Sequence, residues 1–557
     1  MKHILSGFLL LAAVQSFAQG LSPEMTKKID SLFYCCARKT TPGYAIGIVR
    51  NDSLIYAKGY GMANLEYAIP ITPQTIFHMA SVSKQFTAFS IVLLARQGKL
   101  NLDDDIHKYL PWFPDLKQKI TVRNLMNHTS GIRDQWQLLA IAGTRMDDVI
   151  TQDQIIKVLS KQQALNFKPG DQWLYSNSGF TMLAEIVRSV TGKTLRQFAD
   201  SAIFKPLGMN HTHFHDDYTE IVPNRAYSYE QDANGHYKND ILSYSNVGAT
   251  SLFTNVGDMS KWLMNFYDHK VGDQQDIEQL TQKAVLNNGK VQDYAMGIVV
   301  NKYHGHQLYS HNGADAGYRT YVGVFPGLKM GFIVFCNFGD SDPQMKARQL
   351  EDLFINDSTP AKDNKTPERD FVNAVLGDIS AINKFTGDYL SDNDGVHFAF
   401  GLNNNKLYWI QPDDGRQLLI KVQKDTFEAF NTPEVKFVFS ASKSGKQRCD
   451  QYWAGNHRIL IKYDTTPKPD KFLLAYTGKY YSPELDCSYG IALKNHHLVL
   501  TNAKYNDTPL TLYGADHLRN DFWWMENLSI VRNAQNKITG FEINCRAVRH
   551  VWFKKVE

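Results

Sequence analysis

Ser81-Val82-Ser83-Lys84 runs directly into Gln85-Phe86-Thr87-Ala88-Phe89-Ser90-Ile91-Val92-Leu93-Leu94. The apolar run reads as a helix, and Gly98 just beyond it reads as its C-cap. On a helix, a serine and a lysine three apart share one face. The pair lies at the positive end of the helix dipole. A serine hydroxyl is a weak nucleophile until a neighbouring base takes its proton. A lysine can be that base when burial or a nearby cation lowers its pKa. The same pattern recurs as Ser440-Ala441-Ser442-Lys443, but there it sits in a Ser/Lys/Gly-rich turn among short β segments. That copy lacks the helix start the chemistry needs, so the surroundings of Ser81 carry the reading.

Upstream, Ser22-Pro23-Glu24 opens a helix with a capping serine and a first-turn proline. Tyr44 to Val49 and Ser53 to Ala57 read as a hairpin around Asn51-Asp52. Downstream, helices and loops run to about residue 290. Strands then follow at Arg319 to Phe325 and Met330 to Cys336, joined through Pro326-Gly327. Strands at both ends with helices between predict an α+β domain whose antiparallel sheet is assembled from both termini.

Two further motifs lie in this region. Tyr175-Ser176-Asn177 precedes a helix with the stripe Met182-Leu183, Ile186-Val187 and Val190. A tyrosine can move a proton in general acid–base catalysis, and an asparagine amide can orient a lysine or a substrate amide. Tyr244-Ser245-Asn246 repeats the letters after a polar loop with no clear helix, and reads as a surface turn. His311-Asn312-Gly313-Ala314 lies on or beside a strand. Gly313 permits close approach of backbone to a ligand, and His311 can hold a substrate carboxylate or carbonyl. The N–H groups of Ala314 and Ser81 make a candidate pair of oxyanion donors.

Beyond residue 356 the chain changes character. Residues 357–367 are polar, proline-bearing and aperiodic, as a linker is. Short alternating segments follow, such as Lys406 to Ile410 and Phe437 to Phe439. Phe385-Thr386-Gly387-Asp388-Tyr389-Leu390-Ser391 matches Tyr476-Thr477-Gly478-Lys479-Tyr480-Tyr481-Ser482, 91 residues further on. The pairs Leu402/Leu493 and Leu407/Leu498 keep that offset. With a second linker at Asp464 to Asp470, two tandem β-domains of about 90 residues each are predicted.

The chain has 557 residues, 43% hydrophobic and 21% charged, with a net charge of +4 when its 18 histidines are neutral. That balance fits a multidomain globular protein and gives no reason to invoke nucleic acid. Met1-Lys2-His3, the apolar run Ile4 to Val14 and Ser16-Phe17-Ala18 read as a cleavable export signal, too short to span a bilayer. The expected location is periplasmic or secreted, and no later stretch is long and apolar enough to be transmembrane. Six cysteines follow: Cys35, Cys36, Cys336, Cys449, Cys487 and Cys545. Their pairing stays open, although Cys336 reads as a free core thiol. His304-Gly305-His306 has no nearby third ligand and reads as a loop, so no metal site is expected.

Taken as a set, Ser81/Lys84, Tyr175/Asn177 and His311/Gly313 resemble the β-lactamase and penicillin-binding-protein-like serine hydrolases. The order S-x-x-K, Y-x-N, H-x-G matches, and the likeness is to the class C β-lactamase, D-aminopeptidase and esterase branch. Leu125 to Ile132 and Gly248 to Thr254 resemble flanking segments of the family, and His128 reads as structural. The resemblance implies a β-lactamase/transpeptidase-like catalytic domain at 22–356. After a linker at 357–370 it implies lipocalin-like barrels at 371–463 and 471–557, separated by a linker at 464–470. It implies an acyl-enzyme hydrolase with Ser81, Lys84 and Tyr175 catalytic. Asn177, His311, Gly313 and Ala314 would bind substrate, a small molecule or peptide, without metal or cofactor. Which of Lys84 and Tyr175 is the base stays open, as does the oligomeric state. The family's β-lactamases carry lysine where this chain has His311, which favours a peptidase or esterase over a β-lactamase, and a D-amino-acid-containing peptide is the expected substrate. The alternatives are a small-ester esterase, a weak class C-like β-lactamase, or a non-catalytic binder of envelope peptides.

Overall fold

The computed structural model describes residues 21–34, 38–232, 234–355, 382–391, 396–410, 416–430, 435–442, 445–453 and 456–556. The export signal at 1–18, Cys35, Cys36, the linker at 357–370 and Lys443 lie outside the described residues.

Six strands build the sheet that carries the site: β1 (Tyr44–Arg50), β2 (Ser53–Tyr60), β3 (Val299–Tyr303), β4 (His306–Asp315), β5 (Tyr318–Phe325) and β6 (Met330–Cys336). Their order is β3-β4-β5-β6-β1-β2, antiparallel throughout, so the N-terminal hairpin docks on the last strand of the domain. The α+β fold with a sheet shared between termini is therefore as expected. β6 is buried along its whole length, and β1 is buried except at Arg50. Such strands read as continuous Val/Ile/Phe runs because both faces are covered.

Five helices matter here: α1 (Pro23–Phe33), α2 (Ser83–Arg96), α3 (Asn177–Thr191), α4 (Val256–Asp268) and α5 (Pro343–Glu351). Ile29 and Phe33 of α1 pack with Ala347 and Leu350 of α5 on one face of the sheet, against Ile46, Ile48 and Val334. Ser22 caps α1 by accepting from the Met25 N–H at 3.2 Å. α4 covers the other face through Val256, Met259 and Leu263, and behind it lies α2. Every residue of α2 from Ser83 to Leu94 is buried, as a helix apolar on all sides must be. Gly98 ends it at φ +68°, a conformation that suits glycine.

Ser81 itself precedes the α-helix. It occupies a 3-10 turn, Ala80–Val82, that feeds into α2, and Ala80 sits at φ +48°. A non-glycine residue there is strained. β4 crosses this turn closely. A Cβ on Gly313 would lie 2.5 Å from the Met79 carbonyl oxygen and 2.4 Å from Thr320 Oγ1. Glycine at 313 therefore admits the protein's own Ser81 turn, whereas the sequence had suggested a ligand.

The C-terminal region forms two closed eight-stranded antiparallel barrels, Gly387 to Lys462 and Gly478 to Lys555. The repeat is structural. Tyr389 donates to the Phe385 carbonyl at 2.9 Å, and Tyr480, 91 residues later, donates to the Tyr476 carbonyl at 2.6 Å. The barrels differ in their attachment. The first has its own core around Phe385, Phe427, Phe437 and Phe439. The core of the second is continuous with that of the α+β domain. Ser440 lies in a barrel strand, Lys436–Ala441, and not at a helix start. Cys336, Cys449, Cys487 and Cys545 are free thiols. Among the described residues no helix is long and apolar enough to cross a membrane.

Candidate active site

α2 delivers Lys84 to the centre of the domain with no exposed surface. Its ammonium nitrogen donates to Ser81 Oγ at 2.9 Å, Asn177 Oδ1 at 2.8 Å and the Ala249 carbonyl at 2.7 Å. Three donors meet three acceptors, which is all a lysine can offer. Burial still disfavours the charge and lowers the Lys84 pKa to about 7, against the pull of Asp134 and Asp315.

Asn177 is the first residue of α3. Its backbone N–H and its Nδ2 both donate to Asp134 Oδ2, at 2.7 and 2.9 Å. Its carbonyl end is thereby left facing Lys84. Tyr175, two residues earlier, lies with its ring 4.9 Å from Lys84 Nζ. Its hydroxyl bonds to Ser81, and burial raises its pKa further above the ordinary phenol value. His128 supports that ring at 4.2 Å between centroids and accepts from the Ser176 N–H through Nδ1 at 3.2 Å. The structural reading of His128 fits this placement.

His311 is buried on β4. Nδ1 faces the Asn312 carbonyl at 2.6 Å and Nε2 faces the Tyr294 hydroxyl at 2.9 Å. Burial, then the charge of Lys84, lower its pKa to about 3. A neutral ring with a carbonyl at Nδ1 carries its proton there, so Nε2 accepts from Tyr294. Both nitrogens are thus engaged within the protein, and the expected grip of His311 on a substrate is not what its contacts provide. β3 stops pairing with β4 at Ser310. From His311 to Asp315 that edge is open, and exposed Ala314 lies on it.

These residues line a cavity of about 820 Å³ that includes Ser81, Tyr175, Asn177, His311 and Ala314. The structure therefore gathers every candidate residue except Lys84 and Gly313 at the cavity wall, and those two lie directly behind it. The profile of the family described as Beta-lactamase matches residues 25–355.

The chain belongs to the Beta-lactamase family. It is similar to a D-aminopeptidase of Brucella anthropi, 28% identical over 529 residues, covering 93% of this chain and 96% of that one. It is also similar to penicillin-binding protein 4* of Bacillus subtilis, 25% identical over 395 residues, covering 69% and 86%. Among solved structures, a D-amino acid amidase of Ochrobactrum anthropi shares the fold with a TM-score of 0.52, 21% identity, and coverage of 59% and 98%. Like its family, the chain is a serine hydrolase.

Several residues of this Beta-lactamase-family site were not anticipated. Asp134, Tyr294 and Asp315 stand outside the three motifs, and nothing in their local sequence marks them. Asp315 accepts from Thr250 at 2.7 Å, and burial raises its pKa to about 6. Tyr244 does not behave as a surface turn. It is buried, stacks on Trp136 at 4.8 Å, donates to the Met146 carbonyl at 3.0 Å and lines the cavity. Trp523 and Arg546 reach the cavity from the second barrel. That barrel also grips the Asp134 loop. Fully buried Arg133 pairs with Glu484 and donates to the His550 carbonyl at 2.8 Å, and the Asp134 N–H donates to the Ala547 carbonyl at 3.1 Å.

Proposed function

We propose that this chain is an exported hydrolase that cleaves an amide bond in D-amino-acid-containing peptides through a Ser81 acyl-enzyme. The observation that carries the reading is Lys84. It is a dry lysine, 2.9 Å from Ser81 Oγ, with a pKa of about 7. An amine that is substantially neutral near pH 7 can serve as a general base.

In the neutral amine the hydrogen bond to Ser81 reverses, and Ser81 donates. As Oγ attacks the substrate carbonyl carbon, its proton passes to Lys84. Charge develops on the carbonyl oxygen, which the N–H groups of Ser81 and Ala314 stabilise. A donor of that kind is typically worth about 3 kcal/mol. Collapse breaks the C–N bond. The leaving amine takes its proton from Lys84 by way of the Tyr175 hydroxyl, which stays a neutral phenol because burial raises its pKa. Water then attacks the ester and gives a proton to Lys84. The C–Oγ bond breaks and Oγ recovers that proton.

Asn177 and Asp134 hold Lys84 in register, while His311 and Tyr294 brace the β4 edge. The substrate class is supported by the D-aminopeptidase relative that matches along nearly the whole chain. Export is supported by the basic start, apolar run and small-residue site at 1–18. A panel of D-alanyl p-nitroanilide, p-nitrophenyl acetate and a chromogenic cephalosporin, run with Ser81→Ala as control, tests the reading. Fast turnover of the anilide, abolished in Ser81→Ala, is expected. Turnover of the ester alone would replace it with the esterase reading, and anilide turnover retained by Ser81→Ala would refute the nucleophile.

A further inference from the structure

A second constellation lies away from the Ser81 cavity. The strand His213–Phe214 pairs with Leu252–Thr254, and the His215 N–H continues the contact to the Ser251 carbonyl at 2.8 Å. Residues two apart on an extended segment point to one side. His213 and His215 accordingly pack together on Phe253, with ring centroids 5.8 and 4.8 Å from it. The chain then turns through Asp217, whose side chain accepts from the Thr219 N–H at 2.9 Å, and brings Glu220 back over the histidines.

Glu220 Oε2 lies 3.5 Å from His215 Nδ1 and 3.9 Å from His213 Nε2, and one ligand atom from each of the three residues lies within 4.8 Å of the others. Among the described residues neither His213 Nε2 nor His215 Nδ1 has a hydrogen-bond partner, although both atoms are buried and His215 is only 2% exposed. A buried polar nitrogen left without a partner calls for an explanation.

We propose that His213 Nε2, His215 Nδ1 and Glu220 Oε2 form a binding site for one divalent transition-metal ion, with Zn²⁺ the best match and water completing the shell. Ligand bonds of 2.0–2.1 Å in a tetrahedron place ligand atoms about 3.3 Å apart. The Glu220 spacings need to close only slightly to reach that value. Two imidazoles and one carboxylate suit zinc among the common divalent ions. A neutral imidazole offers the lone pair that such a bond needs.

Arg196 donates to Glu220 through both terminal nitrogens, at 2.6 and 2.7 Å, and to Asp216 at 2.9 Å. One guanidinium is thus set against two carboxylates, and it orients the ligating one, as outer groups of metal sites do. Arg225, over the Phe253 ring at 4.9 Å, opposes the cation and weakens binding. The ion would fasten Glu220 onto the His213–His215 stretch of its own segment, which pairs in turn with the strand that follows Ala249, whose carbonyl holds Lys84. No step of the hydrolysis passes through it.

Chelator-stripped protein titrated with ZnCl₂ in a calorimeter should take up one equivalent and gain thermal stability, and Co²⁺ should give the visible absorption of a tetrahedral site. His213→Gln/His215→Gln should weaken that equivalent at least about 100-fold, with Ser81 still labelled by a fluorophosphonate. Glu220→Gln tests the site separately should the double variant misfold, and should weaken binding about tenfold or more. No bound equivalent in the parent protein overturns the proposal. So does unchanged affinity in whichever variant folds.

Discussion

Asn177 bridges Lys84 and Asp134 in a fixed sense. Its Oδ1 accepts from Lys84 at 2.8 Å, while its Nδ2 donates to Asp134 at 2.9 Å. A carboxylate can only accept, so it dictates which end of the amide faces the lysine. Replacing it with a group that both donates and accepts removes that dictation. Asp134→Asn should lower kcat on the order of 100-fold, the usual effect of slightly misplaced groups. The charge of Asp134 also raises the Lys84 pKa. Its loss should therefore move the acid limb of the pH–rate profile to lower pH, which a merely unfolded fraction would not do.

The parent enzyme should show kcat/KM rising with pH through about 7, because only the neutral Lys84 amine accepts the Ser81 proton. A profile on the anilide between about pH 5 and 9 checks this. If Tyr175 were the base, the limb would stand well above the usual phenol range, since burial raises that group.

Gly313→Ala should harm the site more than the fold. The added Cβ meets the Met79 carbonyl oxygen at 2.5 Å, and backbone cannot rotate away as a side chain can. Overpacking of this kind costs about 1–3 kcal/mol. The displaced Ser81 turn should slow fluorophosphonate labelling beyond what the shift in melting temperature accounts for.

Glu484→Leu leaves Arg133 buried without its counter-charge. Arg133 has no exposed surface and Glu484 only 4%. Breaking such a pair from one side costs about 3–5 kcal/mol. Urea melts should show that loss, and the double variant Arg133→Met/Glu484→Leu should recover most of it. Both should reduce hydrolysis, because the barrel's hold on the Asp134 loop passes through this contact.

Trp523→Ala and Arg546→Ala should change KM and the ranking of anilide, ester and cephalosporin while leaving the Ser81 labelling rate near that of the parent. Both side chains line the cavity from the second barrel, but neither is among the partners of Lys84.

Local order was legible in the chain. Ser22 capping α1, the Asn51-Asp52 hairpin, the buried run of α2 and the 91-residue repeat are all short-range regularities. Each depends on neighbours a few residues apart, or on two copies of one unit. The three motifs were legible for a related reason, since each holds its own residues on one turn or strand.

Contacts between distant segments were not legible in this way. Asp134, Tyr294 and Asp315 act through residues outside their own local segments, and a single aspartate or tyrosine has no period to betray it. His311 shows the same limit. Its residue type pointed toward a substrate, but the tertiary structure placed Tyr294 against its free nitrogen. The second barrel is the largest case. Alternation and the repeat determined that it is a β-domain of about 90 residues, and the family resemblance implied a barrel. Only the fold decided that it shares a core with the α+β domain, buries Arg133 against Glu484 and brings Trp523 and Arg546 to the cavity. The physical reason is that strand patterning records which face of a segment is buried, not which surface buries it.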